Sequence, residues 1–178
     1  MKLIFVRHGQ TDWNKEKKLM GRTDIELNEE GRAQCQELVQ KLESDFYVIF
    51  SSPLKRAYET AQVIAEHFGK EVIIKNELTE RDFGTLSGKT WIQIQEETGV
   101  DMRAITKEER YDFRPYGGES AEDVKARLLK FLEEVKTQPY SKVVIACHSG
   151  VISMMRHLFP NNEISPITNT SVHEFELV

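Results

Sequence analysis

Two short apolar runs, each ending in a histidine, constrain this chain more than any other feature. Lys2-Leu3-Ile4-Phe5-Val6 leads directly into Arg7-His8-Gly9, and the run from Lys142 to Cys147 leads into His148-Ser149-Gly150. Continuous apolar runs of this length suit central strands of a parallel sheet, covered on both faces. In a parallel sheet the following polar residues gather on one edge, where open α/β sheets bind ligands. His8 and His148, remote in sequence, are therefore expected to be neighbours.

The intervening sequence alternates in the same way. Asn28 is placed to cap a helix starting at Glu29, which carries Ala33, Leu38, Val39 and Leu42 and fades near Ser44. Phe46 to Phe50 reads as a second strand, with Ser52 as N-cap and Pro53 as first residue of a helix reaching about Phe68. Gly69 stops that helix, and Val72-Ile73-Ile74 forms a third strand. Leu78 to Gly88 reads as a functional loop, and Lys89 to Thr98 as a helix ended by Gly99. Residues 100–118 are weakly patterned. Ser120 and Asp123 form a variant capping box ahead of an amphipathic helix marked by Val124, Leu128, Leu129, Leu132 and Val135. A helix over Ser149 to Leu158 follows the 142–147 strand, and Ser171 to Leu177 alternates as a final edge strand. The pattern predicts a three-layer α/β/α domain over residues 1–178, with a mostly parallel sheet and an antiparallel edge strand.

Composition narrows the function. Lys plus Arg number 24 against 29 Asp plus Glu, a formal net charge of −5, which excludes a generally basic nucleic-acid surface. A local positive pocket is compatible with it. Trp13 and Trp91 lie outside any basic aromatic tract, so they read as packing or pocket-wall residues. No apolar stretch is long enough to span a membrane, and the N-terminal strand lacks the features of a signal peptide, so the expected location is the cytoplasm. Cys35 and Cys147 form no disulfide framework and are expected to be reduced thiols. With no close pair of His or Cys ligands, no metal is expected. The glycines match neither a dinucleotide nor a Walker phosphate loop, and no cofactor is expected.

Several residues carry chemistry. Arg7 offers a fork of donors that matches phosphate oxygens. His8 can serve as nucleophile, base or ligand. His148 stands before a helix N-terminus, whose free amides favour anions. Arg56 sits in the first turn of a helix, an unfavourable place for a cation unless an anion compensates. Glu80, within Glu80-Arg81-Asp82, is a candidate proton donor to a leaving oxygen.

These pieces resemble the histidine phosphatase superfamily, also called the phosphoglycerate mutase-like family. The resemblance runs through Arg7-His8-Gly9-Gln10-Thr11-Asp12-Trp13-Asn14, Gly21-Arg22-Thr23-Asp24, Ser51-Ser52-Pro53-Leu54-Lys55-Arg56, Leu78-Thr79-Glu80-Arg81-Asp82-Phe83-Gly84, Gly117-Gly118-Glu119-Ser120 and Ala146-Cys147-His148-Ser149-Gly150. It implies that His8 is the phosphate-accepting nucleophile and that Arg7, Arg56, His148 and Asn14 bind phosphate. It implies Glu80 as proton donor and Gln10, Thr11, Gly21, Arg22, Thr23 and Ser149 as pocket rim. Ser149 departs from a glycine common in the family. The short segment between Glu80 and His148 resembles the family's small phosphatases more than its mutases. The resemblance therefore implies a metal-independent phosphomonoesterase (a phosphoric monoester hydrolase) of a small phosphorylated metabolite, with α-ribazole 5′-phosphate among the candidates. A cofactor-dependent phosphoglycerate mutase and an inactive phosphoprotein-binding module are the alternatives, and monomer and homodimer both remain open. Trp13, Met20, Trp91, Met102, Tyr111 and Phe113 are candidates for an apolar pocket wall.

Overall fold

A computed structural model describes residues 1–102, 112–160 and 165–178. Its centre is a five-stranded sheet of β1 (Lys2–Arg7), β2 (Ile49–Ser51), β3 (Val72–Ile74), β4 (Lys142–Cys147) and β5 (Val172–Glu176), in the order β3-β2-β4-β1-β5. β1, β2, β3 and β4 are parallel, and β5 pairs antiparallel with β1. This is the expected mixed sheet with an antiparallel edge.

The helices are α1 (Asp12–Lys15), α2 (Glu29–Val39), α3 (Lys55–Phe68), α4 (Trp91–Thr98), α5 (Ala121–Lys136) and α6 (Ser149–Leu158). Alternation along the central strands divides the core between two faces. Leu3, Phe5, Val143 and Ile145 pack with Val124, Leu128 and Phe131 of α5 and Val151, Ile152 and Met155 of α6. Ile4, Val6, Val144 and Ala146 pack with Leu38 and Val39 of α2 and Ala61 and Ile64 of α3. A third, smaller core joins Leu19, Leu86, Ile94, Met102 and Phe113.

The element boundaries shift in informative ways. α2 ends at Val39 rather than near Ser44, and Leu42 only flanks the core. Regular β2 pairing starts at Ile49; Phe46 and Val48 are buried ahead of it, where the chain meets β4 through Tyr47 N–H to Lys142 O and Val144 N–H to Val48 O. α3 starts at Lys55, not Pro53, and its N-cap Leu54 has no capping side chain. Ser52 is occupied elsewhere, and the Lys55 amide donates instead to Asp24 Oδ1 at 2.7 Å, a cap supplied from a distant loop. Leu129 is solvent-exposed, and Phe131 takes the buried place on α5. The Leu78–Gly88 loop contains a 3₁₀ turn at Gly84–Leu86. Asn28, Ser120 and Gly69 cap as the sequence predicts. Cys35 and Cys147 are both buried and free.

The loop after β1 lies directly on the first turn of α2. A Cβ at Gly31 would come 2.1 Å from Gln10 O and 2.7 Å from Gln10 N. Both atoms are backbone, so the clash cannot be relieved by a rotamer change. Gly31→Ala is expected to destabilise the protein by at least about 1–3 kcal/mol in urea melts.

Candidate active site

The parallel ladder sets the site. Arg7 pairs in register with Cys147, and Ser51 with Ala146. The next residues, His8, His148 and Ser52, therefore emerge together at the carboxyl edge of three adjacent strands. His8 N–H donates to Cys147 O at 3.0 Å and Ser52 N–H to Ala146 O at 3.1 Å, extending the ladder to the site. The rings of His8 and His148 lie 5.2 Å apart between centroids.

Each histidine is fixed by one ring nitrogen. His8 Nδ1 lies 2.7 Å from Gly9 O. A carbonyl only accepts, so Nδ1 carries the proton and Nε2 keeps its lone pair. His148 Nε2 lies 2.7 Å from Ser52 Oγ, and Ser52 Oγ also accepts the Leu54 amide at 3.3 Å. A hydroxyl can give its hydrogen to Nε2 or accept one from it, so Ser52 sets the direction of the ring, and a proton stands on His148 Nδ1 when Ser52 is the donor.

Two guanidinium groups converge there. Arg56 is fully buried; its terminal nitrogens donate to Thr23 O at 2.8 Å and Gly21 O at 2.7 Å. Arg7 donates to Ile167 O at 2.9 Å. Arg7 Nε, Arg56 Nε and His148 Nδ1 are buried without a hydrogen-bond partner among the described residues. Glu80 is buried as well; its carboxylate accepts from the Arg81 amide at 2.7 Å, the Gly150 amide at 3.1 Å and Ser149 Oγ at 3.4 Å. A Cβ at position 150 would stand 2.4 Å from Glu80 Oε1, so glycine makes room for the carboxylate.

Burial and like charge shape the titration. Burial, then the nearby Arg56 and Arg7 charges, hold His8 well below the usual histidine range. Burial and Arg56 do the same to His148, followed by His8, Arg127 and Arg7. Burial brings Arg56 down to about 10, which leaves it charged at neutral pH. The site is thus two cations beside two neutral imidazoles, with one carboxylate opposite.

A cavity of about 410 Å³ is lined by Arg7, Asn14, Arg56, Glu80 and Ser149 among others, while His8 and His148 are buried and are not part of its lining. Leu19, Met20, Phe83 and Trp91 supply its apolar wall, and Lys17 and Lys18 add charge. The remaining sequence candidates are placed differently. Gly21 and Thr23 serve through their carbonyls, on Arg56. Thr11 is fully buried as N-cap of α1. Gln10 takes its hydrogen bonds from Asn28 and faces a separate groove. Arg22 turns to Glu119 Oε1 at 2.7 Å. Met102 and Phe113 belong to the small third core, Trp13 packs near Gly88, and Tyr111 lies outside the described residues.

Sequence reasoning missed three participants. Ser52, expected as a helix cap, orients His148. The Ile167 carbonyl holds Arg7, and Asn169 Nδ2 donates to His8 O and to Asn14 Oδ1, each at 3.1 Å. Backbone carbonyls leave no residue-type signal, and an isolated asparagine carries little.

Fold and pocket define an α/β protein with paired histidines and two arginines at the sheet's carboxyl edge. The profile of the histidine phosphatase superfamily (branch 1) matches residues 3–177, and the chain belongs to that family. It is 34% identical over 181 residues to phosphoglycerate mutase-like protein 4 of Arabidopsis thaliana, covering 98% of this chain and 79% of that protein. It is 38% identical over 147 residues to phosphoserine phosphatase 1 of Hydrogenobacter thermophilus, covering 82% and 69% respectively. A mycobacterial glucosyl-3-phosphoglycerate phosphatase, solved in complex with VO3, superposes with a TM-score of 0.86 at 31% identity, covering 97% of this chain and 91% of that one. Among the described residues no helix is long and apolar enough to cross a membrane.

The depressed histidines have a measurable consequence. Unfolded histidines bind protons near 6.5, whereas His8 and His148 do so only at lower pH, and His173 at about 4. The unfolded chain therefore takes up protons first, and stability present above pH 6.5 falls as pH drops below it. Melting curves from pH 7 downward are expected to show this loss. Ring NMR signals of His8 and His148 are expected to titrate below 6.5 in the free protein and to move upward when phosphate is added.

Proposed function

We propose that this protein is a phosphomonoesterase that works through a phosphohistidine on His8, with residues 1–178 acting as one catalytic domain. The observation that carries the reading is a set of three buried nitrogens near His8 without a partner among the described residues: Arg7 Nε, Arg56 Nε and His148 Nδ1. Unpaired buried polar atoms are costly, and a phosphoryl group would satisfy all three with His148 carrying its proton on Nδ1. His8 Nε2, left with its lone pair by the Gly9 contact, attacks phosphorus. The Nε2–P bond forms as the P–O bond to the alcohol breaks. The arginines and His148 stabilise the equatorial oxygens, and Asn14 adds a donor at the rim. Glu80, in its protonated form, gives the leaving oxygen its proton and then takes one from the attacking water. Water breaks the N–P bond, and inorganic phosphate leaves with His8 restored. Each step as written uses the substrate, water and these side chains.

Within that class, the reading favours a small phosphorylated hydroxy acid. Lys17 lines the cavity with no carboxylate partner among the described residues, and phosphoserine and glucosyl-3-phosphoglycerate phosphatases are among the relatives. The names of the relatives described above do not support the α-ribazole ester. A cytoplasmic location accords with the free thiols of Cys35 and Cys147.

The test is phosphate release from a panel of phosphoserine, phosphoglycerates, glucosyl-3-phosphoglycerate, α-ribazole 5′-phosphate and an aryl phosphate, with acid-labile label sought on the protein. Release with label on His8 is expected, with carboxylate-bearing esters fastest. His8→Ala should lower kcat/KM by at least roughly a thousand-fold, and Glu80→Gln by about 10²–10⁴-fold for esters of poor leaving groups. Label without net release, returned to a second phosphoglycerate, would make the protein a mutase. Turnover without label on His8 would overturn the reading.

A further inference from the structure

Asn169 stands outside the cavity lining, yet it touches two parts of the site at once. Its single Nδ2 spends both hydrogens there, one on the backbone carbonyl of His8 and one on Asn14 Oδ1, at 3.1 Å each. Asn14 Oδ1 also accepts from the Thr11 amide at 3.0 Å and lies 3.1 Å from Thr11 Oγ1. The Thr11 and Asn169 nitrogens are donors and the His8 oxygen is an acceptor, so neither amide can be turned over without placing like against like. The orientation of Asn14 is therefore fixed by its neighbours. Its oxygen faces the protein, and its Nδ2, which has no hydrogen-bond partner among the described residues, is left for the cavity that Asn14 lines.

The chain is strained to hold Asn169 in place. Thr170, its neighbour, has φ 55°, an unusual value for a β-branched residue. The Thr170 amide donates to Arg7 O at 3.0 Å, and Ile167 O holds the Arg7 side chain. Strain of this kind persists where surrounding contacts enforce it, and it clusters at functional sites.

We propose that Asn169 is a positioning residue for phosphate: it acts through Asn14, locking the Asn14 amide with Nδ2 toward the bound phosphoryl group. The role rests on the reading of the cavity as a phosphate site. It predicts energetic coupling between two residues whose sequence positions give no hint of contact. With Asn169 removed, Asn14 loses one of the donors that fix its oxygen and can rotate, so its Nδ2 is no longer held toward the anion.

The test is a double-mutant cycle read by direct binding of inorganic phosphate, for example by calorimetry, which does not require turnover. Asn14→Ala and Asn169→Ala are each expected to weaken phosphate binding roughly ten-fold, the range of a hydrogen bond to a charged group. The double variant is expected to bind no more weakly than Asn14→Ala alone. With substrate, Asn169→Ala should raise KM more than it lowers kcat. Asn169→Ser, too short to reach both acceptors, should reproduce the pattern if the alanine variant fails to fold. Additive losses in the double variant, or unchanged phosphate binding in Asn169→Ala or Asn169→Ser, would overturn the role while leaving the phosphate site intact. A wild-type protein that binds no phosphate would instead overturn the reading of the cavity, and this role with it.

Discussion

The parallel pairing of β1 with β4 is the constraint on which the site depends. Its register sets Arg7 opposite Cys147, so the next residue on each strand is a histidine and the two rings lie 5.2 Å apart. A one-residue slip would send alternate side chains to the wrong face and exchange the two cores. The same register that buries Leu3 and Phe5 against α5 and α6 therefore delivers His8 and His148 to one edge. Packing selects the geometry of the proposed site because both are read from a single alignment of strands.

Burying two guanidinium groups beside two imidazoles runs against ordinary folding energetics. The protein offsets this locally with backbone carbonyls. Gly21 and Thr23 hold Arg56, Ile167 holds Arg7, and Gly9 holds His8. These contacts fix direction without neutralising charge. A buried field of positive sign is the result, with neutral histidines inside it. Neutral His8 is the form a nucleophile requires, and fixed positive charge is what a phosphoryl group requires. The two demands are met by the same burial.

Much of this was legible in the sequence, for identifiable reasons. Apolar runs and capping residues such as Asn28, Gly69 and Ser120 act over a few residues, and their signals are local. The meeting of His8 and His148 followed from the general rule about strand ends. The missed features all depend on tertiary partners. Ser52 looks like a helix cap until His148 claims its hydroxyl, and α3 then takes its cap from Asp24 across the fold. Leu129 fits the apolar stripe by spacing, yet the helix turns Phe131 inward instead. Gln10 and Arg22 carry functional residue types, but Asn28 and Glu119 occupy them.

The small third core gives the protein a division of labour. Leu19 lies in that core and also walls the cavity, with Phe83 and Trp91 packed against it, whereas the histidines rise from the sheet between the two larger cores. Among the described residues the three cores share no side chain. Inherited changes in the small core can therefore reshape the cavity's apolar wall while the paired histidines keep their spacing. In a scaffold divided in this way, the shape of a pocket can drift over evolutionary time while the geometry of the sheet edge stays put.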